Sequence, residues 1–169
     1  ELQSAIKEKN DNQSLGISRL TATYDWEYSS QSKPKDSDYW CVRIGDWSCP
    51  WNRQLAKEKE SKHLSWIEQS QTIHEIGSTF TVQGFDLNYV GVIIGPSVKY
   101  RDGKIIFDIS ESKNKSAVQN RKLESGEMIN YGETLLRNEL NVLLTRGVNG
   151  LYVYAVDEEL QQALKNATK

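Results

Sequence analysis

The run Tyr89–Ile94 (YVGVII) constrains the fold more than any other stretch of the chain. Six consecutive residues without a charged or amide side chain do not alternate between a wet and a dry face. They suit a strand covered on both sides, as the inner strands of a parallel sheet are. Leu151–Ala155 (LYVYA) is a second run of this kind. Between the two, Tyr131–Thr145 carries Leu135, Leu136, Val142 and Leu143 near one side, with Leu140 and Leu144 adjoining. That is the broad apolar stripe of a core-facing helix. Strand, helix and strand in this order predict an α/β domain with a mostly parallel sheet. The 169 residues fit a single domain.

The remaining elements follow from local chemistry. Leu2–Lys9 has a weak helical pattern, and Asn10–Ser14 is a polar loop. Ile17–Tyr24 and Thr72–Ile76 read as strands, with a short helical stretch around Thr81–Phe85. Val98–Tyr100 and Ile105–Ile109 form a hairpin, because Asp102-Gly103 supplies the positive φ angles of its turn. Glu111–Met128 is a polar loop with a little helix. Gly147 sits where a C-cap glycine would end the long helix, and Asp157 is a good N-cap for a last helix, Glu158–Asn166. All five tryptophans fall between Tyr24 and Trp66. Pro34, Pro50 and runs of Ser, Lys and Asp interrupt that region. It reads as a self-packed insertion over about residues 25–70, irregular before Arg53, with Gln54–Gln69 able to make a polar helix.

Composition excludes several classes. A net charge of −2 argues against a protein that coats nucleic acid through counterion release, but not against one gripping a strand locally. No apolar run is long enough to span a membrane, and no export signal opens the chain, so a cytoplasmic protein is expected. Cys41 and Cys49 fit neither a CxxC pair nor a zinc knuckle, and His63 and His74 do not complete a site, so no metal is expected. Reduced thiols are the simpler reading. There is no GxxxxGK[ST] loop, GxSxG elbow, GxGxxG turn or HExxH helix. No self-contained catalytic set can be assembled, so the chain is not expected to hydrolyse ATP alone. It begins at Glu1 and is expected to be cut from something longer.

Two segments are informative together. Ser78-Thr79-Phe80-Thr81-Val82-Gln83-Gly84-Phe85-Asp86 runs straight into the first apolar strand. Asn141-Val142-Leu143-Leu144-Thr145-Arg146-Gly147 runs into the second. They resemble motifs V (TxHxxQGxE) and VI (VALTRAR) of the second RecA-like domain of superfamily I helicases. The resemblance is closer to a bacterial group of helicase-like ATPases related to the schlafen helicase domain. That group shows QGF(D/E)xxYVGVIxG and RNxxxVLLTRGxxGxYVY runs, matched by Gln83–Gly95 and Arg137–Tyr154. The strand Arg19-Leu20-Thr21-Ala22 followed by Trp26 fits it too.

The resemblance implies a three-layer RecA-like motor domain, with a P-loop domain of the same polypeptide as partner and single-stranded DNA or RNA as track. ATP with magnesium would be bound mainly by that first domain. Arg146 is then the arginine finger, a role worth roughly a thousandfold or more in turnover. Gln83, Gly84, Asp86 and Thr145 would lie at the nucleotide, with Asp86 matching a carboxylate that accepts from ribose hydroxyls. Ser78 and Thr81 would touch nucleic-acid phosphates. Phe80 departs from the family's histidine, Asp86 from its glutamate and Val148 from its second arginine. Each residue also has a plainer reading. Arg146 would be a surface arginine at a helix end, and Asp86 a turn cap. Arg137 and Asn138 would face solvent, and the tryptophans would pack a satellite core rather than stack on bases. The alternative function is a nucleic-acid-binding or regulatory module that keeps the fold without the motor. A third is a protein-interaction domain using the aromatic insertion.

Overall fold

Three parallel strands form the centre of the molecule: β1 (Ser18–Ala22), β4 (Leu87–Ile94) and β9 (Gly147–Ala155), in the order β1-β4-β9. This computed structural model describes residues 1–12, 16–56, 59, 61 and 63–168. The YVGVII run is the middle strand, and Val90, Val92, Ile93 and Ile94 are all buried in it. A strand hydrogen-bonded on both sides and covered on both faces needs apolar residues at every position, which is why the alternation is absent.

Each sheet face has its own core. On one, Leu87, Val90, Val92 and Ile94 meet Leu136, Leu140 and Leu143 of helix α4 (Gly132–Leu144) and Leu160 of α5 (Glu158–Ala167). On the other, Leu20, Ala22 and Ile93 meet Val42, Cys49, Trp51 and Ile76 from the aromatic region. Helix α1 (Leu2–Asp11) lies on that second face, where the buried Ile6 sits over Gly91. A Cβ at residue 91 would meet Ile6 and Leu20 side chains at 2.7 and 2.8 Å, so the glycine permits the helix to approach. The result is an α/β molecule with a parallel sheet and small antiparallel hairpins.

The aromatic region is more regular than expected and extends the sheet. β2 (Cys41–Ile44) and β3 (Trp47–Pro50) form a hairpin turned at Gly45-Asp46, with Gly45 at φ 55°. Residues 76 and 77 then bridge the two parts. Gly77 pairs with Thr21 and Ile76 with Trp51, both in parallel. Hydrogen bonding therefore runs from β9 through β4 and β1 to the hairpin. Val42 faces Cys49 while Cys41 faces Pro50, so the two thiols project to opposite faces and are free.

Several local expectations change. Thr72–Ile76 is not a strand, because Ser70–His74 is a 3-10 turn and extended pairing begins only at Ile76. The expected polar helix over Gln54–Gln69 gives a 3-10 turn, Trp66–Glu68, closed by a Ser65/Glu68 capping box, and residues 57, 58, 60 and 62 lie outside the described residues. The helix expected near Thr81–Phe85 is a single turn, α2 (Thr79–Val82). Gly147 does not cap α4. Thr145 does, and Gly147 opens β9 so close to the Gly150 carbonyl that no side chain fits. The hairpin β5 (Val98–Arg101) and β6 (Lys104–Phe107) turns at Asp102 (φ 50°) and Gly103 (φ 76°), as the Asp-Gly pair predicts. The polar stretch that follows holds helix α3 (Lys115–Val118) and the short hairpin β7 (Arg121–Lys122) and β8 (Met128–Ile129). Asp157 caps α5 by accepting from the Leu160 amide at 2.9 Å.

Candidate functional site

The two informative segments meet where β4 and β9 begin. The Leu87 amide donates to the Arg146 carbonyl at 2.8 Å, so the residues leading into both strands are held side by side. Arg146 follows the last turn of α4, and its Nε donates to the Val142 carbonyl at 3.0 Å. Its Nη1 donates to the Phe85 carbonyl at 3.3 Å and lies 3.6 Å from Asp86 Oδ1. The guanidinium thus rests against the turn Gln83–Asp86, 61 residues earlier in the chain. Asp86 is 69% exposed, and Gln83 and Gly84 are exposed beside it. Gly84 has a φ of 82°, which a side chain would strain, and nothing stands within 4 Å of where its Cβ would be. This edge therefore offers solvent an arginine, a carboxylate and an uncovered backbone turn.

The other predicted residues are less available. The Thr145 hydroxyl donates to the Asn141 carbonyl at 2.7 Å and closes the end of α4. Ser78 and Thr81 are buried, at 0% and 4% exposure. Ser78 Oγ donates to Asn52 Oδ1 at 2.7 Å, and the Ser78 amide donates to Thr81 Oγ1 at 2.8 Å. Both side chains form the capping box of α2 rather than facing a strand. The reason is the crossing at Gly77, which brings Ser78 in under the hairpin before the chain turns outward. That turn presents Phe80 instead, 55% exposed and edge-on to Tyr24 with ring centroids 5.6 Å apart.

A set of buried polar residues escaped the sequence reading. Arg19 is 4% exposed, and its guanidinium donates to Thr72 Oγ1, Asn10 Oδ1 and the carbonyls of Ser18, Ile67 and Gln69. Burial lowers its pKa to about 10. Glu75 accepts the Gln54 and Leu55 amides at 2.9 and 3.1 Å and the Trp66 indole N–H, which ties the insertion to the sheet. At the far end of the strands, Asp25 accepts from Thr23 Oγ1 and the Ser97 amide, each at 3.0 Å. Glu139 reaches from α4 to the Tyr24 amide at 2.6 Å and Asn114 Nδ2 at 3.3 Å. Burial raises the Asp25 carboxyl and pushes Glu139 up to about 7. A charge inside a strand with no other charged residue, as at Arg19, was the one available signal. Among the described residues no cluster of three or more His, Cys, Asp or Glu side chains is placed to hold a metal ion, and no helix is long and apolar enough to cross a membrane.

Comparison with known proteins gives a family. No solved structure matches the chain. An uncharacterized protein of Saccharomyces cerevisiae is 38% identical over 170 aligned residues, covering 99% of this chain and 35% of its own length. The chain thus spans about a third of that relative, which is fungal, so the likeness is not confined to bacteria. The family model described as Schlafen group 3, DNA/RNA helicase domain, matches residues 1–157. That span includes the strand with Arg19, the insertion and both motif-bearing segments. The chain belongs to the Schlafen group 3 helicase-domain family, a helicase-like family of nucleic-acid-related function.

Proposed function

We propose that this chain is the second motor domain of an ATP-dependent helicase or translocase, active only with a P-loop domain of the same polypeptide. The observation that carries this reading is the contact between Arg146 and the Gln83–Asp86 turn, at 3.3 Å to the Phe85 carbonyl and 3.6 Å to Asp86. A second domain in such motors contributes positive charge to the phosphoryl group held by the first. Arg146 is held in a retracted pose by two backbone carbonyls and a solvent-exposed carboxylate. These are contacts that an incoming triphosphate would outcompete, because phosphate forms charge-assisted, bidentate bonds with arginine. Gln83, Gly84, Asp86 and Thr145 shape the nucleotide side, with Asp86 positioned for ribose hydroxyls once the arginine leaves it. The P-loop partner would hold magnesium and most of the triphosphate. Ser78 and Thr81 act on the nucleic acid at one remove, by fixing the turn that displays Phe80.

The test is Arg146→Ala in the longer protein that contains the P-loop domain. ATP turnover stimulated by single strands should fall roughly a thousandfold, while the melting temperature of the protein hardly moves. Turnover within a few-fold of the parent would remove the finger assignment.

A module that keeps the fold without the motor is the second reading. Val148 favours it, being 71% exposed at the position where the related motif carries a second arginine. Nucleotide hydrolysis by the longer protein separates the two, since the module requires none.

A further inference from the structure

The function proposed above leaves the tryptophan-rich insertion unused. The structure divides its tryptophans into two kinds. Trp51 and Trp66 are buried, at 0% and 4% exposure, whereas Trp26, Trp40 and Trp47 are half-buried. Trp26 and Trp40 line one open groove of about 500 Å³, together with Pro34, Lys35, Tyr39 and Arg43. Both indole N–H groups are already engaged. Trp26 donates to the Arg43 carbonyl at 3.1 Å and Trp40 to the Ser32 carbonyl at 2.9 Å. Each ring is therefore fixed by its polar edge, and the groove has π surface rather than donors to offer.

A second groove of about 430 Å³ is lined by residues 28–33 and by Arg53 and Gln54. Lys33, Lys35, Arg43 and Arg53 are exposed, and none of the four takes part in the ion pairs among the described residues. Glu27 and Asp36 also border the first groove, but Glu27 already faces Lys113 at 3.8 Å. The charge along the two grooves thus favours an anion.

We infer that the groove between Trp26 and Trp40 receives an unpaired base of a single-stranded nucleic acid, with Lys35 and Arg43 on the flanking phosphates and Lys33 and Arg53 continuing the track. Fixed aromatic faces flanked by exposed cations suit this ligand, because every base has a π face and every nucleotide a phosphate. The inference rests on the nucleic-acid side of the reading above and requires neither Arg146 nor ATP.

The experiment titrates a fluorescein-labelled oligo(dT) of about 12 nucleotides into the 169-residue chain without nucleotide and follows anisotropy. Trp40→Ala should weaken binding by roughly 5- to 100-fold. The double variant Lys35→Glu/Arg43→Glu should weaken it by about tenfold or more and flatten its salt dependence. Lys165→Glu, a charge reversal on α5, should leave the affinity within about twofold, since phosphate contacts act locally. Because Trp40 also packs on the second core, its variant is judged beside the charge-reversal pair, whose exposed side chains support no core residue. Binding that ignores both groove variants, or no binding by the parent chain, would overturn the inference. So would capture of a proline-rich peptide by these residues in place of the oligonucleotide. Failure here leaves the arginine finger standing, and failure of Arg146→Ala leaves the groove standing.

Discussion

The two ends of the parallel sheet use the same kinds of residue to opposite ends. Where β4 and β9 begin, Asp86 is 69% exposed and accepts from no backbone amide among the described residues, while Arg146, 3.6 Å away and 23% exposed, donates to the Val142 and Phe85 carbonyls. Where β1 and β4 finish, Asp25 and Glu139 are 5% and 7% exposed, and backbone amides from Ser97 and Tyr24 depend on them. A Cβ at Gly95 would strike the Asp25 side chain, so even the path of β4 is fitted to that carboxylate. The contrast gives a rule for reading such a site. A charged side chain is free to meet a ligand to the extent that the fold's own backbone does not require it. By that rule Asp86 and the turn before β4 are the more available, and the far end is a clasp.

The comparison can be broken by measurement. The largest effect on stability is expected at Arg19, a third buried polar centre. Arg19→Met removes five donors and strands the Ile67 carbonyl, which should cost about 3–5 kcal/mol in urea unfolding. A loss under about 1 kcal/mol would mean that the insertion does not depend on this arginine.

Glu139 should set a pH dependence. Its carboxyl is raised from 4.5 to about 7 in the folded chain, so between those values the native state holds more protons than the unfolded one. The stabilisation is complete below pH 4.5 and is lost as pH rises through 7, by about 3 kcal/mol in all. Glu139→Gln should remove most of that slope, with a remainder from Asp25, whose carboxyl is also raised. An unchanged slope in the variant would show that Glu139 titrates normally and is no clasp.

Asp157 offers a smaller effect of opposite sign. Arg101 holds its carboxyl down at about 2, so its contribution is present at neutral pH and is lost as pH falls toward that value. Asp157→Ala removes the cap of α5 and should cost about 1–2 kcal/mol at pH 7, readable as a lower midpoint in thermal unfolding.

The smallest stability effect should come from Asp86, where β4 begins. Asp86→Asn breaks only a solvent-exposed pair, and the change should stay below about 1 kcal/mol. A larger loss would place Asp86 among the structural carboxylates and erase the distinction between the two edges.

Much of the frame was legible in the residues. YVGVII gave the inner strand because only a doubly covered strand tolerates an unbroken apolar run. LYVYA, expected to be covered in the same way, is instead the outer strand β9, where Leu151 is 43% exposed and only Ala155 is buried. The stripe on α4, the Asp102-Gly103 turn and the Asp157 cap each follow from chemistry confined to a few neighbouring positions. The insertion was not legible in the same way. The backbone pairing between its hairpin and the main sheet runs through Ile76 and Gly77, whereas the pattern at Thr72–Ile76 predicts a strand over residues that form a 3-10 turn. Ser78 and Thr81 look like surface hydroxyls in sequence, and only the crossing at Gly77 buries them.

The sequence by itself determined the α/β class, the parallel sheet and the two segments that run into β4 and β9. Periodicity, turn chemistry and capping act over a few residues and can be read without coordinates. The tertiary structure alone decided that Arg146 touches the Gln83–Asp86 turn, that Arg19, Glu75 and Glu139 are internal clasps, and that two of five tryptophans are core. Those outcomes depend on which distant backbone amides and carbonyls come within about 3 Å of a side chain, and sequence spacing does not encode that distance.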